Sequence, residues 1–462
     1  MNQRFAIVLA AGKGTRMKSK QYKVLHEVGH VPMITRVINT AVKAGFDAVY
    51  SVISPDAKEV EGEVEEQSTI CIQEEQLGTA HAVQQAAPHL EGKPGTTLVL
   101  YGDTPLITVD TLSALLKHHE ESKAKATVLT VYAENPFAYG RIIRNNEGFV
   151  EAIVEERDAT AEQRAIHEIN TGIYVFDNEA LFEALKQVDN HNDQGEYYLP
   201  DVMGILQQAG EHISAYQMAD FSEAMGINDR KSLAEANRVF YAKQAAYWMD
   251  EGVTFLDPAT TYIDDEVVIG QDTIIEGNVH LEGKTVIGSS CHIGSQSTIV
   301  DTVLADDVVV KSSVLESAVV GQGSDVGPMA HLRPKAVIKE HVHIGNFVEV
   351  KNATIGNNTK VGHLTYIGDA DLGEGINVSC GVIFSNYDGY KKHRSTIGDH
   401  SFIGANVNIV SPVTVADHSF LAAGSTITAD VPSRAMGIAR ARQVNKPDYW
   451  YRLAVSDNPD NE

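Results

Sequence analysis

An aliphatic residue recurs at every sixth position through much of the second half of this chain. Ile275, Leu281, Ile287, Ile293 and Ile299 stand in strict register, and Ile287 and Ile293 are each followed by Gly. The spacing returns at Ile355, Val361 and Ile367, each followed by Gly, and again at Ile397, Ile403, Ile409, Val415, Leu421 and Ile427. The period-two alternation of an ordinary strand does not generate such a series. An aliphatic residue, a small residue after it and polar residues between suit a short flat strand followed by a tight turn. Stacked units of this kind form a continuous interior ladder. The predicted fold is therefore a left-handed parallel β-helix of hexapeptide repeats. Such a coil can be a plain scaffold, but loops that leave a regular solenoid commonly carry function. The clearest interruption is Ser385-Asn-Tyr-Asp-Gly-Tyr-Lys-Lys-His-Arg394, between Phe384 and Ile397. Its run of four basic or His residues, in a chain of formal charge -25, points to an anionic ligand.

The first half follows a different grammar. Phe5 to Leu9, Ala48 to Ile53, Thr97 to Leu100, Thr127 to Tyr132 and Ile173 to Phe176 read as strands. Met33 to Ala44 and Val109 to Glu121 carry apolar residues at helical spacing, the pattern of an open α/β domain with a helix-covered parallel sheet. Asp229 to Asp250 has no Gly or Pro, starts at an N-capping Asn/Asp pair and reads as one connecting helix. The expected division is residues 1–229, a linker helix 230–250, and a repeat domain 251–462 ending in a tail whose last stretch, Ser456 to Glu462, reads as disordered. At 462 residues two or three domains are expected. The net charge argues against a nucleic-acid partner. Cys71, Cys291 and Cys380 are few and scattered, and no apolar run approaches a membrane span, so no membrane insertion and a cytoplasmic location are expected.

The first strand runs into Leu9-Ala10-Ala11-Gly12-Lys13-Gly14-Thr15-Arg16-Met17. A Gly-rich turn after a strand presents backbone N–H groups to phosphate, and Lys13 and Arg16 supply charge. Met17 stands where a dinucleotide fingerprint has its third Gly, and no P-loop Gly-Lys-Ser/Thr follows. Asp103, behind a strand and a Gly, offers a hard oxygen to a divalent cation, although an Asp so placed is also an ordinary turn residue.

LAAGKGTRM followed by Lys23-Val24-Leu25 is similar to the signature of sugar-1-phosphate nucleotidylyltransferases. Further matches are Gln73 with Gln76-Leu-Gly78-Thr79, Tyr101-Gly102-Asp103, Asn135-Pro-Phe-Ala-Tyr139-Gly140-Arg141, Ile153-Val-Glu155, Asn170-Thr-Gly and Gly226-Ile-Asn228. With the hexapeptide half, the chain resembles over essentially its whole length the bacterial bifunctional N-acetylglucosamine-1-phosphate uridylyltransferases/glucosamine-1-phosphate N-acetyltransferases. The N-terminal half is then a Rossmann-like nucleotidyltransferase domain. The resemblance implies acetyl transfer from acetyl-CoA to glucosamine 1-phosphate in the C-terminal half. Uridylyl transfer from UTP with Mg²⁺, giving UDP-N-acetylglucosamine, would occur in the N-terminal half. Asp103 and Asn228 would hold Mg²⁺. Arg16 and Lys23 would contact phosphates, and Leu9, Ala10, Ala11, Gly12, Tyr101 and Gly102 would line the nucleotide site. Gln73, Gly78 and Thr79 would read uracil, while Gly140, Glu155, Asn170 and Asn228 would hold the sugar. Relatives commonly have Leu-Pro where this chain has Gln21-Tyr22.

Acetyl transfer to a sugar amine needs a base, and histidine suits neutral pH. Among eighteen histidines, His363 in Val361-Gly-His-Leu-Thr-Tyr366 interrupts the repeat at a polar position and resembles the family's active-site motif. Arg333 and Lys351, on different coils, are candidates for the sugar phosphate, with Tyr366 and Asn377 for the sugar; the alternative for the charges is ordinary surface. The resemblance places acetyl-CoA at Cys380, Asn386, Tyr387, Ala405, Ala423 and Arg440, with Lys391, Lys392 and Arg394 for its phosphates. It also implies a homotrimer with sites between subunits. The tail Lys446 to Arg452 either packs on a neighbour or lies over the cofactor. The rival readings are a single-function nucleotidylyltransferase assembled by its β-helix and a non-catalytic regulatory subunit.

Overall fold

The computed structural model describes residues 3–453 apart from 138, 146–147 and 193–194, so the Ser456–Glu462 stretch lies outside the described residues. The chain divides into two units, Met1–Tyr241 and Ala242–Glu462.

In the first unit nine strands form one sheet among the described residues: β1 Gln3–Leu9, β2 Ala48–Ile53, β3 Thr69–Ile72, β4 Gly95–Tyr101, β5 Ala126–Tyr132, β6 Arg141–Arg144, β7 Val150–Val154, β8 Glu168–Asp177 and β9 Ile213–Met218. The main order is β9-β5-β8-β4-β1-β2-β3, with β6 pairing β8 and β7. Central β1 is apolar from Phe5 to Leu9 and buried, as a strand covered on both faces must be. Helix Met33–Lys43 buries Met33, Ile34, Val37, Ile38 and Ala41 along one stripe. Thr108 caps helix Val109–Ser122 by accepting from the Thr111 N–H. The sheet is not wholly parallel as expected: β8 runs antiparallel to both β4 and β5. The alternation of strand and helix does not reveal this, because β8 follows the β6–β7 hairpin rather than a helical crossover. β1 lies between β2 and β4, a topological switch point whose strand ends form a crevice for a ligand.

Helix Arg230–Asp250 follows, with Asp229 Oδ1 accepting from the Ser232 N–H at 2.8 Å and the Lys231 N–H at 3.0 Å. No helix among the described residues is long and apolar enough to cross a membrane.

The second unit is a parallel coil in which most strands pair with the third strand after them, so that three strands make a coil. Ile275 lies beside Ile293, Leu281 beside Ile299, and Ile397 beside Val415. These residues and their successors are buried in one continuous core. The corner turns also explain why the six-residue register lapses between Ile299 and Ile355. Where the left-handed residue stands third after the core aliphatic, as Ser290 does after Ile287, the next core residue comes six on. Where it stands second, as in Asp301 after Ile299, Ser312 after Val310, Ser317 after Leu315 and Asn352 after Val350, the next comes five on. The 385–394 interruption leaves the coil between Phe384 and Ile397, and Leu372 still stacks on Ile397 beneath it.

Candidate functional site

The chain leaves β1 at the switch point. The Gly102 N–H donates to the Leu9 carbonyl (2.9 Å) and the Ala10 N–H to the Val52 carbonyl (2.8 Å). Leu9, Ala10 and Ala11 are buried, whereas Gly12 and Lys13 are exposed. The turn continues through left-handed Gly14 (φ 58°) into a short helical turn, Thr15–Met17. A β-carbon at Gly14 would lie 2.5 Å from Lys23 Cβ, so glycine is what lets the two loops approach. Lys23 is held in turn: Gln21 donates to the Leu25 carbonyl (2.9 Å) and the Tyr22 hydroxyl to the Asp56 carbonyl (2.8 Å). The two residues that depart from the family pattern therefore brace this loop.

Lys23 Nζ forms an ion pair with Asp103 Oδ2, with both side chains about 15% exposed, and donates to Asn228 Oδ1 at 3.2 Å. Arg16 donates to the same amide oxygen at 2.9 Å. A bond from the Ile227 N–H to the Asp103 carbonyl (2.9 Å) brings the Asn228 segment to the end of β4. The structure thus brings together Arg16, Lys23, Asp103 and Asn228. Among the described residues no group of three or more His, Cys, Asp or Glu side chains could hold a metal ion. Asp103 and Asn228 instead present two hard oxygens that cationic side chains already occupy. This donor set suits Mg²⁺, which commonly takes one or two protein oxygens and completes its shell with phosphate and water.

Gln73 is buried and donates to the Gly78 carbonyl (3.2 Å), while Thr79 Oγ1 accepts from the Leu199 N–H (2.9 Å). Gln76 ties this segment to the Gly-rich turn through the Ala11 carbonyl (3.0 Å). Burial pushes the Tyr101 phenol well above its ordinary pKa, and the charges of Asp103 and Glu155 act in the same direction. The Asn170 N–H donates to the Gly140 carbonyl (2.8 Å), and its side chain joins Tyr174 (2.7 Å) and the Gly172 N–H (3.0 Å). Glu155 Oε1 lies 3.2 Å from where a β-carbon at Gly140 would be. Although Glu155 has substantial accessible surface, surrounding chain raises its pKa by desolvation, Asp158 adds to that, and Arg141 opposes it. Gly140, Glu155 and Asn170 thus come together, as do Gln73, Gly78 and Thr79.

In the second unit His363 stands at a coil corner directly beside Asn346 of the preceding coil. The two share a 2.6 Å bond between Nδ1 and the amide oxygen. That oxygen only accepts, so Nδ1 carries the proton and Nε2 presents its lone pair. At the next corner Arg333 pairs with Glu349 (2.7 Å) and the Arg333 N–H donates to the Val350 carbonyl (2.8 Å), bringing it alongside Lys351. The Lys351 ammonium is pulled below its ordinary pKa by Arg333 first and by Lys392 next. Three cations therefore crowd one spot, with Tyr366 also facing Arg333. Sequence reasoning gave Lys392 a different task and missed Asn346. The repeat register held the signal for the latter, since Asn346 follows Ile344 as His363 follows Val361.

The remaining candidates separate. Cys380, Ala405 and Ala423 continue the corner row of His363, linked by Gly381 N–H to His363 carbonyl (3.2 Å), Asn406 N–H to Cys380 carbonyl (2.8 Å) and Gly424 N–H to Ala405 carbonyl (2.8 Å). Arg440 lies next to Gly424. Asn386 and Tyr387 leave from the other corner: Asn386 is buried and donates to Asp369 (2.5 Å) and Tyr366 (3.4 Å), and Tyr387 bonds the Gly389 carbonyl (2.7 Å). Asn377 stands in register with Lys360 and Phe402, on a different ladder from Arg333 and Lys351, and donates to Ser379 (3.3 Å). Arg394, which the resemblance offered to a phosphate, is already paired. Its guanidinium grips Asp371 and the Asn352 carbonyl (2.8 Å), which pins the end of the loop.

Comparison with known proteins matches the nucleotidyl transferase family over residues 5–254. The GMPPB C-terminal domain family matches residues 260–363, and the bacterial transferase hexapeptide (six repeats) family matches 394–429. A protein named Bifunctional protein GlmU from Enterococcus faecalis is 56% identical over 453 residues, covering 98% of this chain and 99% of its own. Its namesakes from Geobacillus sp. and Pediococcus pentosaceus are 51% and 53% identical, covering 99% and 98% of this chain and 100% and 97% of theirs.

Proposed function

The chain belongs to the bifunctional GlmU family of enzymes, which pair a uridylyltransferase with an acetyltransferase, and from that premise we propose how its residues divide the two reactions. The domains are 1–229, a linker helix 230–250, and 251–462. The observation that carries the reading is that each unit assembles its own cationic centre: Arg16 and Lys23 around Asp103 and Asn228 in one, Arg333, Lys351 and Lys392 in the other.

In the C-terminal reaction the amine of glucosamine 1-phosphate attacks the thioester of acetyl-CoA. The new N–C bond replaces the S–C bond, and the coenzyme departs as a thiolate that receives the proton His363 has removed from the amine, so that it leaves as its thiol. His363 Nε2 takes the amine proton, and Asn346 keeps it in the basic tautomer. Arg333, Lys351 and Lys392 bind the sugar phosphate, Tyr366 and Asn377 the sugar. Cys380 contributes backbone rather than a nucleophile, since direct attack needs no acyl-enzyme. The acetyl-CoA set of Cys380, Ala405, Ala423 and Arg440 on one corner and Asn386 with Tyr387 on the other supports a homotrimer in which facing copies complete each site.

In the N-terminal reaction an oxygen of N-acetylglucosamine 1-phosphate attacks the α-phosphorus of UTP and pyrophosphate leaves. Arg16 and Lys23 neutralise the two approaching anions, while Gln73, Gly78 and Thr79 hold uracil. Mg²⁺, held by Asp103 and Asn228, supplies charge neutralisation on the phosphates when bound. The two products in sequence give UDP-N-acetylglucosamine for envelope polymers, and a cytoplasmic setting fits three cysteines that are free.

Incubating pure protein with glucosamine 1-phosphate, acetyl-CoA, UTP and Mg²⁺, leaving out one component at a time, tests this. Thiol release should require the first two only. Pyrophosphate release should require all four, or UTP, Mg²⁺ and ready-made N-acetylglucosamine 1-phosphate. Pyrophosphate from the acetylated sugar with no thiol release under any condition would overturn the bifunctional reading.

A further inference from the structure

Arg141 follows Gly140 directly, yet only 2% of its side chain is exposed. A guanidinium is seldom buried without several partners, because taking it out of water costs more than one ordinary hydrogen bond returns. Arg141 has a carboxylate and two carbonyls. One terminal nitrogen donates to Glu156 Oε2 at 2.6 Å and reaches the Arg164 carbonyl at 3.5 Å, and the other donates to the Tyr139 carbonyl. Its backbone stands opposite Val154 of β7 on one side and Ile169 of β8 on the other. The side chain therefore fastens the Tyr139–Gly140 segment to the one that presents Glu155, and the backbone of the same residue stands against the strand that presents Asn170.

Glu155 and Glu156 are adjacent carboxylates, and only one of them can be the sugar ligand. Glu156 is drawn to Arg141 and also lies 3.7 Å from Arg164 Nε. That leaves Glu155 against Gly140, whose carbonyl receives the Asn170 N–H. We propose that Arg141 is the positioning residue of the sugar pocket: by binding Glu156 it sets which of the two glutamates faces the sugar, and so governs affinity for the sugar phosphate but not for the nucleotide. This rests on the uridylyl-transfer reading of the same pocket. The positive charge of Arg141 near Glu155 also favours the ionised, accepting form of that carboxylate.

The test is steady-state uridylyl transfer by wild type, Arg141→Met, Arg141→Lys and Glu156→Gln, varying N-acetylglucosamine 1-phosphate and UTP separately, with acetyl transfer by the same preparations as the check on the other unit. Arg141→Met should raise KM for the sugar phosphate at least tenfold while KM for UTP moves less than twofold. Arg141→Lys should recover part of the loss, and Glu156→Gln, which keeps the buried arginine, should raise the same KM roughly threefold to tenfold. If Arg141→Met does not fold, Glu156→Gln alone decides. An unchanged sugar-phosphate KM, or equal rises for both substrates, overturns the proposal. Wild type that releases no pyrophosphate would instead sink the uridylyl reading itself.

Discussion

His119 sits on the buried stripe of helix Val109–Ser122 with 5% of its surface exposed and a 2.8 Å bond from Nδ1 to Thr127. Burial pulls its pKa down to about 4, outweighing the opposite effect of Asp177 and Glu120. The unfolded chain binds this proton near the ordinary value of about 6.5, whereas the folded chain binds it near 4. Its contribution to stability is therefore complete above 6.5 and is lost progressively as pH falls towards 4, on the order of 3 kcal/mol. Urea unfolding of wild type and His119→Gln at pH 7.5 and pH 4.5 should show a smaller acid-induced loss in the variant. Equal losses would mean that His119 does not carry this linkage. At this scale the motif residues were legible because their chemistry is local: a Gly-rich turn with Arg16 and Lys23, an Asp103 after a strand. Arg141 stood within a recognised motif with no role, because burial of an arginine is a property of the packing around it and leaves no mark in the sequence.

The coil's period was read in the runs Ile275–Ile299, Ile355–Ile367 and Ile397–Ile427; residues such as Asp301 or Ser312 turn the chain one position early, and the six-residue run from Val320 to Val350 that lies between such turns went unread. A polar residue in a left-handed corner looks the same in either turn, so the shortened repeats could not be counted in advance. The antiparallel course of β8 was equally hidden, since strand direction is set by pairing and not by composition. The basic loop was legible as a concentration of cations, but its internal order was not. Asp388 accepts from the Tyr390 and Lys391 N–H groups (both 2.8 Å) and from His393 (2.7 Å), and these bonds hold its carboxyl far below the usual range. With Arg394 anchoring the far end, the loop presents Lys392 towards Lys351. Asp388→Ala should therefore lower kcat/KM for acetyl transfer roughly tenfold, mainly through KM for glucosamine 1-phosphate, and leave uridylyl transfer unchanged. An unaltered KM would show that the aspartate does not order Lys392.

On the scale of the whole molecule, the chain divides within helix Arg230–Asp250 into two compact units, each with its own core and its own set of cations and oxygens. The two grammars of the sequence pointed to two halves joined by a helix. They did not announce that the residues proposed for acetyl-CoA split between two corners of one coil, because corner positions depend on the turn lengths. The independence of the two centres is the central claim, and one paired assay addresses it: acetyl and uridylyl transfer measured side by side on folded Asp103→Ala and His363→Ala proteins, each reaction supplied with its own substrate. Asp103→Ala should lose uridylyl transfer by at least a hundredfold and keep acetylation, and His363→Ala should do the reverse. Loss of both activities in either folded variant would contradict that independence.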